Sequence, residues 1–230
     1  MQNNYMLTSI QKGIFVKEIE NRFLCQVIVD GIQQICYIPS SCRLDNFIDL
    51  EGKSILLIPT KGRKNATKFA VLAVEFKRNY IILNSNLANR VVEQGITSRR
   101  FFYLGKRSLV RREFIVDDYK CDLYIEDSDT LIEIKSIITL KDVEIFPSVY
   151  SKRALRQLDQ LYWCLKNGRN VVYIIISMNP YLKSIYLDSK SEFYSKYVRC
   201  INKGMKAVAY TCRLNKEMSI ELYKQIGIDY

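Results

Sequence analysis

From residue 171 to 178 the chain reads Val-Val-Tyr-Ile-Ile-Ile-Ser-Met, an almost unbroken apolar run. A strand with one wet face alternates in polarity, so a run like this is expected of a strand buried on both faces. Covering both faces takes helices, and the neighbouring sequence supplies them. Over 151–166, Leu155, Leu158, Leu161, Tyr162 and Leu165 recur at helical spacing, with Ser151 as N-cap and Gly168 as stop. A second helix fits 190–203, ended by Gly204, and strands fit 207–212 and 218–223. Strand, helix and strand in alternation indicate α/β layers with parallel strands.

The first 83 residues follow another rule. Short β-type runs at 13–17, 23–29, 33–38, 54–58, 69–76 and 80–83 are separated by turns, among them residues 18–22 and the hairpin signal Asp30-Gly31. Five or six short strands in this length predict a small β-barrel. Residues 84–95 read as a capped helix ending at Gly95. The expected fold is therefore α+β. The expected domains are a nucleic-acid-binding barrel over 1–83, since such barrels often take oligonucleotides, and an α/β domain with a mixed sheet over 84–230, including the helix and a basic connector at 84–112. Each half is expected to have its own core.

Charge narrows the partners. With 35 Lys and Arg against 24 Asp and Glu, the net charge is +11, which suits a polyanion such as nucleic acid or an anionic membrane surface. Arg99, Arg100, Lys106, Arg107, Arg111 and Arg112 are interleaved with Phe101, Phe102 and Tyr103. They are a candidate footprint for a phosphate backbone, and a solvated connector is the plainer reading of the same residues. No segment approaches the roughly 20 apolar residues of a membrane span, so no membrane partner is expected. The chain has no histidine, and its seven cysteines are scattered without a C-x-x-C pair. That argues against a zinc site, a disulfide scaffold and histidine-based acid–base chemistry, and it fits reduced thiols in the cytoplasm.

The candidate chemistry lies at 121–135. Two β-type runs flank the polar stretch 126–130, and a loop at Asp127-Ser128 would set Asp122 opposite Glu133. Alternation then puts Lys135 on the face of Glu133. Glu-x-Lys by itself is common on exposed strands. Two acids side by side, however, repel unless a cation neutralises them. Mg²⁺ does so with hard oxygen ligands while also holding phosphate, and a nearby lysine can stabilise charge on an attacked phosphate.

With these segments in order, the chain resembles the sugar fermentation stimulation protein family over nearly its whole length. Tyr37-Ile38-Pro39-Ser40-Ser41-Cys42-Arg43-Leu44 stands where the family has Pro-Asn-Thr/Ser-Gly-Arg-Met. Asn84 to Asn89-Arg90 matches its Asn-x-x-x-x-Asn-Arg, and Glu113 with Asp122 matches its Glu…Arg-x-Asp element. Leu131-Ile132-Glu133-Ile134-Lys135-Ser136 matches its Glu-Val-Lys-Ser strand, and Phe146-Pro147 with Ser151 and Arg153 matches its Phe-Pro…Thr-x-Arg segment. The departures are Ser40-Ser41-Cys42 for the Asn-Thr-Gly turn, Tyr119-Lys120 for Ser-Arg, and Gln157 for a histidine.

The resemblance implies an oligonucleotide-binding-type (OB-like) barrel joined to a restriction-endonuclease-like domain. It also implies DNA binding with little sequence preference, and similarity to Mg²⁺- or Mn²⁺-dependent nucleases of the PD-(D/E)xK class. In that reading Asp122 and Glu133 ligate the ion with the Ile134 carbonyl, Glu113 is a further ligand, and Lys135 acts on water and phosphate. Ser151, Arg153 and Gln157 face the scissile strand, and Arg43, Arg99, Arg100, Arg107 and Lys120 bind the nucleic acid. The expected partners are DNA, RNA as a further substrate, and a second copy in a homodimer. The alternative is a non-catalytic DNA-binding regulator of sugar metabolism genes.

Overall fold

The computed structural model describes residues 9–19, 23–40, 43–60 and 67–230. Of the positions singled out above, residues 20–22, Ser41 and Cys42 lie outside them. The chain opens with β1 (Gln11–Glu18), β2 (Leu24–Val29), β3 (Ile32–Tyr37), β4 (Ser54–Pro59), β5 (Phe69–Phe76) and β6 (Asn79–Ile82). Pairing runs β3-β2-β1-β4-β5-β6, and a parallel contact of β3 with β5 at Tyr37 and Ala70 closes the first five strands into a barrel. Asp30 and Gly31 both take positive φ, 51° and 78°, as a two-residue hairpin turn requires. Bulges at Val16 in β1 and Leu72 in β5 bend those strands around the ring.

Helix α1 (Leu87–Gly95) follows, three residues shorter at its start than the sequence suggests. Asn84 stays outside the helix, where its side chain accepts from the Asn86 N–H at 3.2 Å. Then come β7 (Val110–Arg112), β8 (Ile115–Val116), β9 (Tyr119–Lys120), β10 (Leu123–Ile125), β11 (Thr130–Ile137), β12 (Val143–Phe146), α2 (Lys152–Lys166), β13 (Asn170–Ser177), β14 (Ser184–Leu187), α3 (Glu192–Asn202), β15 (Lys206–Leu214) and β16 (Ile220–Asp229). Eight of these strands form a mixed sheet in the order β12-β14-β16-β15-β13-β11-β10-β7, while β8 and β9 make a separate ribbon. β11, β13 and β15 are parallel neighbours at its centre. No helix among the described residues is long and apolar enough to cross a membrane.

The apolar run folds as expected, with a core on either side of β13. Val172, Ile174 and Ile176 face one, and Val171, Tyr173 and Ile175 face the other, where Leu155, Leu158 and Leu161 of α2 cover them. The expectation of separate cores for the two halves is not met. One buried cluster runs from Phe15, Val27 and Leu57 inside the barrel, through Val91 and Val92 of α1, to Ile132 and Ile174 of the large sheet. A backbone bond from Ile82 N–H to Met178 O, 3.1 Å, joins the two sheets. The basic connector is also packed: Arg99–Leu104 is a 3-10 helix whose Phe101 and Leu104 are buried.

Between β10 and β11 the loop has four residues rather than two. Glu126–Ser128 form a 3-10 turn and Asp129 is left-handed, yet Leu123 still pairs with Ile132, the register the two-residue loop would give. Asp127 in this loop anchors the connector by accepting from Ser108 N–H at 2.6 Å and Leu109 N–H at 2.9 Å. Those donors hold its carboxyl at about 2, below the usual carboxylate range. The charged form is favoured in the folded state, so its stabilisation is present at neutral pH and is lost as pH falls from roughly 4 toward the folded value. Asp127→Ala should lower the melting temperature at pH 7, and the gap from wild type should narrow at acidic pH; thermal melts at both pH values check this.

Candidate functional site

Three elements bring the acidic residues together. Glu133 lies mid-strand in β11, on the face toward α2, and is 2 % exposed. A carboxylate so deep must have its oxygens satisfied. Glu133 Oε1 accepts from Lys135 Nζ at 2.5 Å and from Gln157 Nε2 of α2 at 2.9 Å, while Oε2 accepts from the Tyr119 hydroxyl. Lys135 Nζ donates onward to Gln157 Oε1 at 2.7 Å, closing a triangle of side chains. Asp122, just before β10, accepts from the backbone N–H of Ile134 at 2.7 Å and from Asn89 Nδ2 of α1 at 2.9 Å. Burial pushes the Glu133 carboxyl up, Lys135 opposes that shift, and Asp122 adds to it. Burial and the neighbouring Glu133 likewise push the Tyr119 phenol up, so it remains a donor.

Asp122, Glu133, Lys135 and Asn89 line a cavity of about 980 Å³. Lys120, Glu113, Ser151, Arg153 and Gln157 line it too, as do Arg90 and Arg112. Ser151 caps α2, its Oγ accepting from Ala154 N–H at 3.2 Å, so the helix N-terminus borders the cavity. The Phe146-Pro147 peptide, also in the wall, is cis.

Not every expected residue joins the acids. Glu113 is on the cavity wall, but its carboxylate is exposed and pairs with Lys120 at 2.8 Å, which lowers its pKa. Among the described residues no three of His, Cys, Asp or Glu come together as a metal-binding group, so Glu113 does not complete a ligand set with Asp122 and Glu133. Arg43, Arg99, Arg100 and Arg107 are not among the lining residues. Arg100 donates to Tyr223 O at 2.9 Å and Arg107 to Ile96 O at 2.7 Å. Arg111 pairs with Glu126 and Arg112 with Glu93, so much of the basic stretch is engaged within the fold. Arg153 forms no ion pair among the described residues.

Tyr119 and Asn89 had no assigned role in the sequence reading, although both touch the acids. The signal for Tyr119 is local. Asp117 and Asp118 sit between two short β-type pairs and both adopt positive φ, 47° and 62°, turning the β8–β9 ribbon so that Val116 pairs with Tyr119. Nothing near Asn89 in sequence points to Asp122.

The family model for the sugar fermentation stimulation protein RE domain matches residues 86–218. The chain belongs to the sugar fermentation stimulation protein family. A homolog from Methanobrevibacter smithii is 27 % identical across 95 % of this chain and 96 % of its own length. One from Acetivibrio thermocellus is 24 % identical over 94 % and 95 % of the two chains. The fold is that of Pyrococcus furiosus SfsA, solved in complex with Ca²⁺: the TM-score is 0.85 at 18 % identity, covering 99 % of both chains.

Removing the Tyr119 hydroxyl leaves a buried Glu133 oxygen without its donor, whereas Asp122 is half-buried and keeps a backbone donor if Asn89 is truncated. Tyr119→Phe should therefore cost about 1–3 kcal/mol, and Asn89→Ala less. Urea unfolding of the two variants measures the order.

Proposed function

We propose that this family member is a DNA-binding, Mg²⁺- or Mn²⁺-dependent phosphodiesterase, with RNA as a further substrate. The observation that carries the reading is the meeting of Asp122, Glu133 and Lys135 in one cavity whose wall also holds Arg153, which forms no ion pair among the described residues, and a helix N-terminus. A polyanion is the ligand such a wall suits, and a phosphate at the start of α2 would meet free N–H groups and the positive end of the helix dipole.

The donor set fits a divalent ion. Asp122 and Glu133 are hard oxygen ligands, and Glu133 is buried with Lys135 as its paired cation. With the Ile134 carbonyl they would hold the ion; Glu113, at the wall, would reach it through water. Pyrococcus furiosus SfsA was solved with Ca²⁺, which supports a divalent ion for this chain too. When bound, the ion supplies Lewis acidity toward a phosphoryl oxygen and acidifies water. Asn89 and the Ile134 N–H fix the Asp122 carboxylate. Gln157 holds both Glu133 and the Lys135 ammonium, leaving that ammonium beside the position where charge builds on phosphate. Arg153 and Ser151 receive the strand.

A second reading, a non-catalytic DNA-binding regulator, is favoured by the saturation of both Glu133 oxygens by Tyr119, Lys135 and Gln157. The two readings separate in one experiment. Labelled single- and double-stranded DNA and RNA are incubated with Mg²⁺, Mn²⁺ or EDTA, and Mn²⁺ binding is followed by calorimetry. The nuclease reading expects metal-dependent cleavage that falls about 100-fold or more in Asp122→Asn, Glu133→Gln and Lys135→Ala. It also expects Lys135→Ala to keep the metal, and the two carboxylate variants to keep or improve nucleic-acid binding. Binding without cleavage in any metal would leave the regulator.

A further inference from the structure

Beyond the cavity, the solvent face of α2 carries Lys152, Arg153, Arg156, Gln160, Trp163 and Lys166, all exposed. Lys152, Arg153 and Arg156 form no ion pair among the described residues. Trp163 is the chain's one tryptophan and is 61 % exposed. A ring that large is ordinarily used to bury apolar area. Here it sits among cations instead: Lys166 Nζ lies 5.0 Å from its centroid, and the Arg199 guanidinium lies 4.3 Å from the neighbouring Tyr162 ring. A depression of about 360 Å³ opens beside Tyr162, between α2 and α3. The two helices and Lys203 hold seven lysines and arginines against Asp159 and Glu192. Asp159 is itself neutralised by Lys196 at 2.8 Å and Arg199 at 2.7 Å.

The geometry ties this patch to the cavity. Arg153 lines the cavity, and Trp163 lies ten residues further along one helix. At 1.5 Å per residue that is about 15 Å, a distance that a few nucleotides of an extended strand bridge. Arg156 and Trp163 are seven residues apart, two turns, and so share a side of the helix.

We propose that this ridge is a track for single-stranded nucleic acid running from the cavity, with Arg153 and Arg156 on its phosphates and a base stacked on Trp163. The inference rests on the reading of the cavity as a phosphodiester site. Charge complementarity selects the polyanion. The exposed ring selects an unpaired strand, because bases in a duplex are already stacked on each other whereas a free base gains by stacking on an aromatic side chain.

The single tryptophan makes the test direct. Unlabelled oligothymidylates of increasing length are added to the full-length protein in EDTA while tryptophan emission is recorded, and binding is measured separately by anisotropy of end-labelled oligomers. Oligomers long enough to span the ridge should quench the emission, and shorter ones should bind without quenching. Trp163→Ala should weaken binding of the long oligomers roughly 5- to 100-fold and leave the short ones unchanged, with Trp163→Phe restoring most of the loss. An unchanged cooperative melt shows that these surface variants fold. Long oligomers that bind by anisotropy without quenching, and with equal affinity for Trp163→Ala, overturn the track and leave the cavity reading standing. If no oligomer binds at any length, the track falls, and cleavage of duplex DNA in Mn²⁺ decides the cavity reading separately.

Discussion

A carboxylate buried inside a mixed sheet sets the terms for everything around it. Glu133 cannot keep its charge at 2 % exposure without donors, and β11 alone can offer only Lys135, two residues along the same face. The remaining donors must come from elsewhere. The β8–β9 ribbon brings Tyr119 over one oxygen, and α2 brings Gln157 to the other. The ribbon's tight Asp-Asp turn and the placement of α2 across the sheet thus serve the same group. Asp122 is the complementary case, half-buried and fixed by a backbone N–H on the neighbouring strand and by Asn89 from α1.

Asn89 gives the shared core a functional meaning. α1 lies between the barrel and the large sheet, with Val91 and Val92 in the cluster that joins them. Its side chain at Asn89 donates to Asp122, while Ser40 and Phe47 from the barrel half line the same cavity. Barrel and cavity are therefore packed together through one continuous buried cluster.

The charge excess divides in two. In the connector, arginines close gaps in the fold by reaching backbone carbonyls and carboxylates, as Arg100, Arg107 and Arg112 do. Along α2 and in the cavity wall, cations such as Arg153 and Arg156 face solvent. A net charge is a sum over the chain and does not separate these uses; ion pairing within the fold does. The cations that remain outward-facing are the ones that would draw the nucleic acid proposed above.

Much of the architecture was legible in the sequence because it is written in short-range pattern. The apolar run of β13, the leucine spacing of α2 with its Ser151 cap, the Asp30-Gly31 turn and the register of Asp122 against Glu133 all depend on neighbours within one element or one hairpin. The strands β12 and β14, four residues each, are too short to leave a period, and β16 runs past the end expected at 223, where polar Lys224 and Gln225 interrupt the apolar pattern before Ile226 and Ile228 resume it. Tertiary structure alone decided the rest: that barrel and sheet share a core, that Asn89 reaches Asp122, that Glu113 turns to Lys120, and that Arg112 is held by Glu93. Each of these depends on which surfaces meet after the elements form. A side chain's partner across the fold is set by packing of whole elements, and no local spacing records it.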